Sequence, residues 1–361
     1  MYKRQGNGKE IKNGTILKGT ITSDVTLAAG NTYKLSGEYI VEEGATLHIE
    51  EGVKIIAVYD DIADYILVKQ GGKINAVGTP DKPIVMTSEK EEPGAWGGIH
   101  ICGRAHTNAE GGKGSSEIGG AVYGGNDDAD NSGTLQYIRL EYTGFAFDEE
   151  HEANGISFYG VGNGTIVDHC QAYKGSDDGF EFFGGSVNVS NLVAVSCSDD
   201  SFDWTEGWNG KGTNLVAYQE DKSTLGYDCD CLMECDNNGS NNAATPVAHP
   251  VLKNLILVGN GGSKQGIRLR AGTEVEIDNA KVCGKGQPLT VETALTENAL
   301  KNGTSKLTNI TLTAELSSKE GIYTHADFIA VTSNKVDANL SYSSFEDIRK
   351  ECSWMNGSWV K

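Results

Sequence analysis

The sequence predicts an all-β chain wound as a parallel β-solenoid, and three observations carry that prediction. The chain repeats: DDGFEFFGG at residues 177–185 returns as DDSFDWTEG at 199–207, offset by 22 residues. Within the repeats, side chains alternate with period 2, Phe180 and Phe182 against Glu181 and Phe183, then Phe202 and Trp204 against Asp203 and Thr205. A helical repeat would show a period of about 3.6 instead. Finally, 47 glycines stand against 6 prolines in 361 residues, with no collagen period, which describes tight turns rather than disorder. A unit of roughly 22 to 24 residues holds two or three short strands with their turns, one coil of a β-helix. One coil cannot bury its own apolar face, so stability has to come from stacking on its neighbours.

Taken in order, residues 1–14 (MYKRQGNGKEIKNG) are polar and lack the apolar stretch of an intact export leader. They read as a disordered or linking N-terminus, ahead of a single domain over 15–361. The protein is then either cytosolic or an exported protein whose leader has been removed. Residues 39–56 and 65–77 are short alternating strands broken by Glu-Gly or Gly-Gly turns, and PIVMTS (83–88) and GAWGGIHICG (94–103) continue them. Residues 104–133 are rich in glycine and acids without periodicity and read as a long surface loop. The paired-strand repeat then runs through GISFYG and TIVDHCQAY, the two Asp-Asp repeats, LMECDNNG and VLKNLILVG, and GIRLRAG and VEIDNAKVCG, with one insertion at 240–249. Residues 286–361 read as a capping region with one helix over 290–302 and a second over 344–354. The second is expected to close an open coil end, which a solenoid has to protect from edge pairing.

Composition excludes several functions. With 30 Lys and Arg against 50 Asp and Glu, the net charge of −20 makes nucleic acid and anionic membranes poor partners. No apolar run approaches the roughly 18 residues that span a bilayer. Of eight cysteines only Cys229, Cys231 and Cys235 cluster, and no second Cys or His group stands at zinc-finger spacing. Buried thiols or a disulfide between coils therefore fit better than zinc. Seven histidines are scattered and form no spaced ligand pair. Asp128, Asp130 and Ser132 lie in DADNSG, the first half of an oxygen-ligand loop; position twelve would be Arg139, so this is either a Ca²⁺-stabilised turn or a solvated acidic one.

The phrases GEYIVEEGATLHIEEGVKI, GGKINAVGTPDKPIVMTS, GAWGGIHICG, YGGNDDADNSGTLQYIRLEYTG and SDDGFEFFGGSVNVSNLVAV together resemble a bacterial family of secreted, commonly lipid-anchored, right-handed parallel β-helix proteins. The resemblance covers roughly residues 14–286 and is loose beyond. It implies a pectate-lyase-like fold with long surface loops and a helical or irregular C-terminal cap. It also implies a place in the cell envelope or outside the cell, and no agreed activity; an outer-membrane transporter encoded beside it would favour glycan handling. In that family the fourth strand commonly reads Gly-Ile-Glu-Ala-Asp-Asn-Asn. Here it reads Leu232-Met233-Glu234-Cys235-Asp236-Asn237-Asn238, which puts Cys235 where a small inward residue is usual.

In the family register the outward positions form columns. One runs Ser157, Glu181, Asp203, Glu234, Arg268, and its neighbour runs Tyr159, Phe183, Thr205, Asp236, Arg270. Coils stack about 4.8 Å apart, so three carboxylates in a row repel unless a cation, an arginine or a proton intervenes. Sugars stack on aromatic rings and hydrogen-bond to carboxylates and arginines. The expectation is a non-catalytic site for a glycan or another surface polymer, built by Tyr159, Glu181, Phe183, Asp203, Glu234, Asp236, Arg268 and Arg270. Two alternatives stay open. One is a hydrolase or lyase of acidic polysaccharide using Asp178, Asp200 and Glu181, although no Gly-His-Gly accompanies the Asp-Asp pairs. The other is a structural or adhesive surface protein. The Asp-Asp turns also resemble a Ca²⁺ site, with Arg268 as the base a calcium-dependent lyase would want. The same register sets Cys197 beside Cys229 on adjacent coils, within reach of a disulfide.

Overall fold

A computed structural model describes residues 8–361, and among them 25 strands join into one continuous parallel ladder that winds as a right-handed β-helix. Each coil contributes to three sheets. The first runs through Tyr65–Val68, Ile99–Cys102, Ile156–Tyr159, Phe180–Phe183, Phe202–Thr205, Met233–Asp236 and Gln265–Arg270. The second and third share long strands such as Ile166–Tyr173, Asn188–Val195, Lys211–Tyr218 and Val251–Val258. Each long strand bends at one residue of positive φ, which on successive coils is His169, Asn191, Asn214, Asn254, Asn279 and Asn309. Asparagine tolerates this left-handed conformation, and its amide gains a ladder: Asn214 donates to Asn191, Asn254 to Asn214 and Asn279 to Asn254.

The interior is built from stacked equivalents. Phe158 stacks on Phe182 at 4.9 Å and Phe180 on Phe202 at 5.6 Å, while Trp208 lies on Phe182 at 4.0 Å and donates to the carbonyl of Val187. Trp208→Ala is expected to cost about 3–5 kcal/mol, read as a fall in the urea midpoint. A change below about 1 kcal/mol would show that this stack is not holding the coils.

The solenoid starts earlier than the composition implied. Lys9–Ile11 is a strand in register with Val25–Leu27, so the described part of 1–14 is sheet rather than linker, and residues 1–7 lie outside the described residues. The excursion over 104–133 is not a free loop. It carries a hairpin between Gly114–Ser115 and Val122–Tyr123 and folds back onto the first sheet.

The capping role expected of the second C-terminal helix falls to the first. The helix Ala294–Lys301 and the following His325–Ala330 close the far end, placing Leu300, Leu316, Tyr323 and Phe328 against the last core residues. The helix Phe345–Glu351 instead lies along the outer side of the third sheet. There Ile348, Met355 and Trp359 cover Val193, Val195, Val216, Ile256 and Val258. These sheet residues point outward and are apolar, so they need a cover, and the chain end supplies it. The strap finishes far back along the solenoid, where the carbonyl of Ser358 accepts from Arg139 at 2.7 Å and Lys361 pairs with Glu141 at 3.1 Å.

Candidate functional site

The first sheet brings the expected acids into one column. Ser157, Glu181, Asp203, Glu234 and Arg268 are direct cross-strand neighbours, in that order. Glu181 and Glu234 keep partial solvent access, while the Asp203 carboxylate between them is buried. One turn earlier on each coil stand the Asp-Asp pairs. Their second members are buried and form a ladder of their own: Asp178 Oδ1 accepts the backbone N–H of Asp200 at 2.9 Å, and Asp200 Oδ1 accepts that of Cys231 at 2.9 Å. Asn154 occupies the preceding rung and donates to Glu181 at 2.6 Å. Its Oδ1 is fully buried and finds no protein partner. The first members, Asp177 and Asp199, with Asp230 on the next coil, line the rim.

The acids overlap in threes. Asp177, Asp178 and Asp199; Asp178, Glu181 and Asp203; Asp200, Asp203 and Glu234; and Asp200, Asp230 and Cys231 each bring ligand atoms within 4.8 Å of one another. Oxygens held about 2.4 Å from a common centre lie at most about 4.8 Å apart, so each all-carboxylate trio matches the shell of a hard divalent cation. Burial, reinforced by the carboxylates around it, raises every central member. Asp177 is pushed up to about 8 by burial and then by Asp199, Glu152 and Glu117. Asp178, Glu181, Asp200 and Asp203 rise well above the ordinary carboxylate range for the same reason. The carboxylates of Asp177 and Asp199, and those of Asp178 and Glu181, lie within 4.8 Å of each other, so each group meets a like charge as well as burial.

The arginines close the column at its lower end. Arg268 bridges Glu234 at 3.4 Å and Glu292 at 3.2 Å, while Arg270 bridges Glu234 at 3.1 Å and Asp236 at 2.8 Å. Arg268 is therefore tied between carboxylates rather than free as a base. Neither arginine forms an ion pair with Asp178, Glu181 or Asp203. Of the rim acids, Asp230 is met by Lys264 at 3.0 Å.

Other expectations are corrected. Tyr159 and Phe183 do stack, at 4.4 Å and 15°, but both are buried. The hairpin of the 104–133 segment covers them with Ile118, Ala121 and Tyr123, the Tyr123 ring 5.0 Å from Tyr159. Polar ties hold this cover: Tyr123 and Thr107 donate to Glu206 at 2.8 and 2.7 Å, and Asn108 donates to Asn237 at 2.9 Å. The aromatic pair is thus core beneath a flap and offers no sugar platform.

In the DADNSG turn the acids bond neighbouring chain groups. Asp128 Oδ1 accepts the His106 ring and backbone, Asp130 Oδ2 accepts the N–H of Arg104 at 2.7 Å, and Ser132 is buried with its N–H on Thr165. These carboxylates staple the flap. All eight cysteines are free and buried, so the expected Cys197–Cys229 disulfide is not formed. Cys197 turns into the core, its Sγ 3.9 Å from the carbonyl of Val195. The Cys229, Cys231, Cys235 run likewise diverges: Cys235 joins the core and Cys231 faces Asp230 at 3.5 Å. Sequence reasoning also missed Lys285, a buried amine donating to the carbonyl of Cys229 at 3.2 Å and lowered by burial.

A family model described as a pectate-lyase like beta helix domain matches residues 19–360. No curated protein and no solved structure matches the chain. Among the described residues no helix is long and apolar enough to cross a membrane.

Proposed function

The chain belongs to the pectate-lyase-like beta helix family, and on that premise we propose that it binds a glycan along the acid track of the first sheet, with a divalent cation among Asp178, Glu181 and Asp203 as part of the site. The observation that carries this reading is the unbroken column Glu181, Asp203, Glu234, open to solvent at Glu181 and Glu234 and lacking a basic partner at its buried centre, Asp203. Ionised carboxylates at sheet spacing need compensation. An oxygen-only donor set favours Ca²⁺, and the orphaned Oδ1 of Asn154 stands beside the same group. A cation held there also accepts sugar hydroxyl or carboxylate oxygens, while the outer lone pairs of Glu234 and Asp236 take hydroxyl donors. The covered aromatics mean that hydrogen bonding and coordination, not ring stacking, supply this contact. An exported location in the cell envelope, beside an outer-membrane glycan transporter, completes the reading, because polymers too large to cross a membrane are met outside the cell.

Titration calorimetry of EDTA-stripped protein with CaCl2, then with polygalacturonate and neutral polysaccharides, is the test. Saccharide binding is expected only after calcium, and Glu181→Gln with Asp203→Asn is expected to weaken it at least about tenfold, roughly 1.4 kcal/mol. Binding unchanged in EDTA or in the double variant would refute the reading.

The raised carboxyl of Glu181 favours a second reading, because a carboxyl that keeps its proton can donate it to a glycosidic oxygen while a second, ionised carboxylate acts across the bond. Of the residues first considered, Glu181 keeps solvent access, whereas Asp178 and Asp200 are occupied by backbone N–H groups. Reducing-sugar release, lost in Glu181→Gln, would select this reading over binding alone.

A further inference from the structure

We infer that a second saccharide site, for a neutral glycan, lies between the asparagine ladder and the C-terminal strap, on a different face from the acid track. A cavity of about 360 Å³ opens there, lined among others by Asn214, Asn254, Asn279, Lys281, Glu351 and Trp354. Its two walls have separate origins. One is the bend of the long strands, fixed by the stacked coils. The other is the strap, fixed by Ile348, Met355 and Trp359 on the third sheet. The groove is therefore preformed, and it is at the small end of ligand sites, the size of one or two sugar rings.

The chemistry of the walls selects the ligand. In the ladder, Asn254 donates to Asn214 at 3.1 Å and Asn279 to Asn254 at 2.8 Å. Each link uses one N–H and one oxygen lone pair. An amide has two N–H donors and an acceptor with two lone pairs, so each rung keeps a donor and an acceptor for a ligand, repeated about every 4.8 Å along the solenoid. Vicinal sugar hydroxyls, each both donor and acceptor, match such a row. Opposite stands Trp354. Of five tryptophans, Trp96, Trp204, Trp208 and Trp359 are at most 1% exposed, while Trp354 keeps solvent access on the groove. An indole face bordered by amides accepts the C–H face of a pyranose.

Lys281 and Glu351 pair with each other, so the groove carries no net charge for a phosphate or a carboxylate. It also lies on a sheet face rather than at an edge, so a peptide cannot add to it as a strand. The inference does not depend on the acid track, since no residue is shared.

Iodide quenching reads Trp354 above the four buried indoles, which makes the test direct. The protein is titrated in EDTA with neutral cello-, xylo-, manno- and malto-oligosaccharides, following iodide protection and calorimetric heat. At least one series is expected to protect Trp354, with the affinity falling at least about tenfold in Trp354→Leu and partly kept in Trp354→Tyr, which retains a ring should the leucine variant fold poorly. Asn254→Asp, which tolerates the same positive φ but loses the amide donors, is expected to weaken binding, whereas Glu181→Gln with Asp203→Asn is expected to leave it unchanged. That last arm separates this site from the proposed one. No protection by any series at millimolar sugar, or equal affinity in folded Trp354→Leu, would overturn the inference.

Discussion

Stripped of divalent cations, the protein is expected to melt at a lower temperature at pH 8 than at pH 5, by several degrees. In the unfolded chain the carboxyls of the acid track ionise near pH 4. In the folded chain they hold their protons longer: Asp177 is raised to about 8 and Glu117 to about 7, each by burial first, and Asp178, Glu181, Asp200 and Asp203 move in the same direction. A group whose folded pKa is raised contributes stability that is complete below its unfolded pKa and is lost as pH rises through the folded one. The window of loss therefore runs from about pH 4 upward, through 7 for Glu117 and 8 for Asp177. Asp64, buried and raised to about 7 by burial, adds to the same slope. Carboxyls shifted the other way, such as Asp128 beside His106 and Asp168 beside His169, lose their contribution only as pH falls below about 4, outside the window.

Calcium changes this slope if it occupies the trio of Asp178, Glu181 and Asp203. A cation replaces the protons that the folded state would otherwise keep, so millimolar CaCl2 is expected to restore most of the melting temperature at pH 8 and to do little at pH 5. Asp203→Asn removes the central charge and is expected to flatten the EDTA profile and abolish the calcium effect together. Differential scanning calorimetry across pH 5–8, with and without calcium, reads both. A melting temperature that climbs with pH in EDTA would sink the account of the track.

The architecture was legible because one turn, Asp-Asp followed by a period-2 strand, recurs on consecutive coils and sets their register. Glu181, Asp203 and Glu234 are vertical neighbours for that reason. What covers the column was not legible. Tyr159 and Phe183 occupy outward positions, and pattern alone reads outward aromatics as exposed. Their burial depends on Ile118 and Tyr123, which sit in an aperiodic segment whose docking is set by single contacts such as Tyr123 to Glu206. The available signal was the pairing of unexpected outward aromatics with apolar residues in a nearby polar excursion. The strap shows the same limit. Outward Val193, Val195, Val216, Ile256 and Val258 announce that something lies on the third sheet, but nothing local names residues 345–360 as the cover. The thiols were misread because register brings Cys197 and Cys229 onto neighbouring coils without fixing where their Sγ atoms point.

A loss of stability as large as that of a buried aromatic is expected at Glu297, which no motif marked. Its side chain is fully buried in the capping helix Ala294–Lys301, yet it faces no cation. It organises a turn instead. The hydroxyl of Ser318 and the backbone N–H groups of Glu320, Ile322 and Tyr323 all donate to its carboxylate, the last three at 2.7, 3.1 and 3.1 Å. Glu297→Ala would leave three backbone donors without their acceptor, that of Tyr323 in the buried interior and those of Glu320 and Ile322 partly buried. Each orphaned buried group costs about 1–3 kcal/mol, and partial relaxation brings the sum to about 3–5 kcal/mol. Glu297→Gln keeps the shape and one acceptor oxygen and is expected to cost about half as much. The consequence reaches past the turn. This segment carries Tyr323 and leads into Phe328, both packed on the last core residues. Loosening it bares the edges of Ser317–Ser318 and Lys335–Val336, the last short strands of their sheets. An uncovered parallel edge templates pairing with another chain, so the alanine variant is expected to show both a lower urea midpoint and concentration-dependent oligomers in sedimentation velocity. If Glu297→Ala unfolds within about 1 kcal/mol of the parent, the carboxylate is not what holds the cap, and the end of the solenoid must be closed by apolar contact alone.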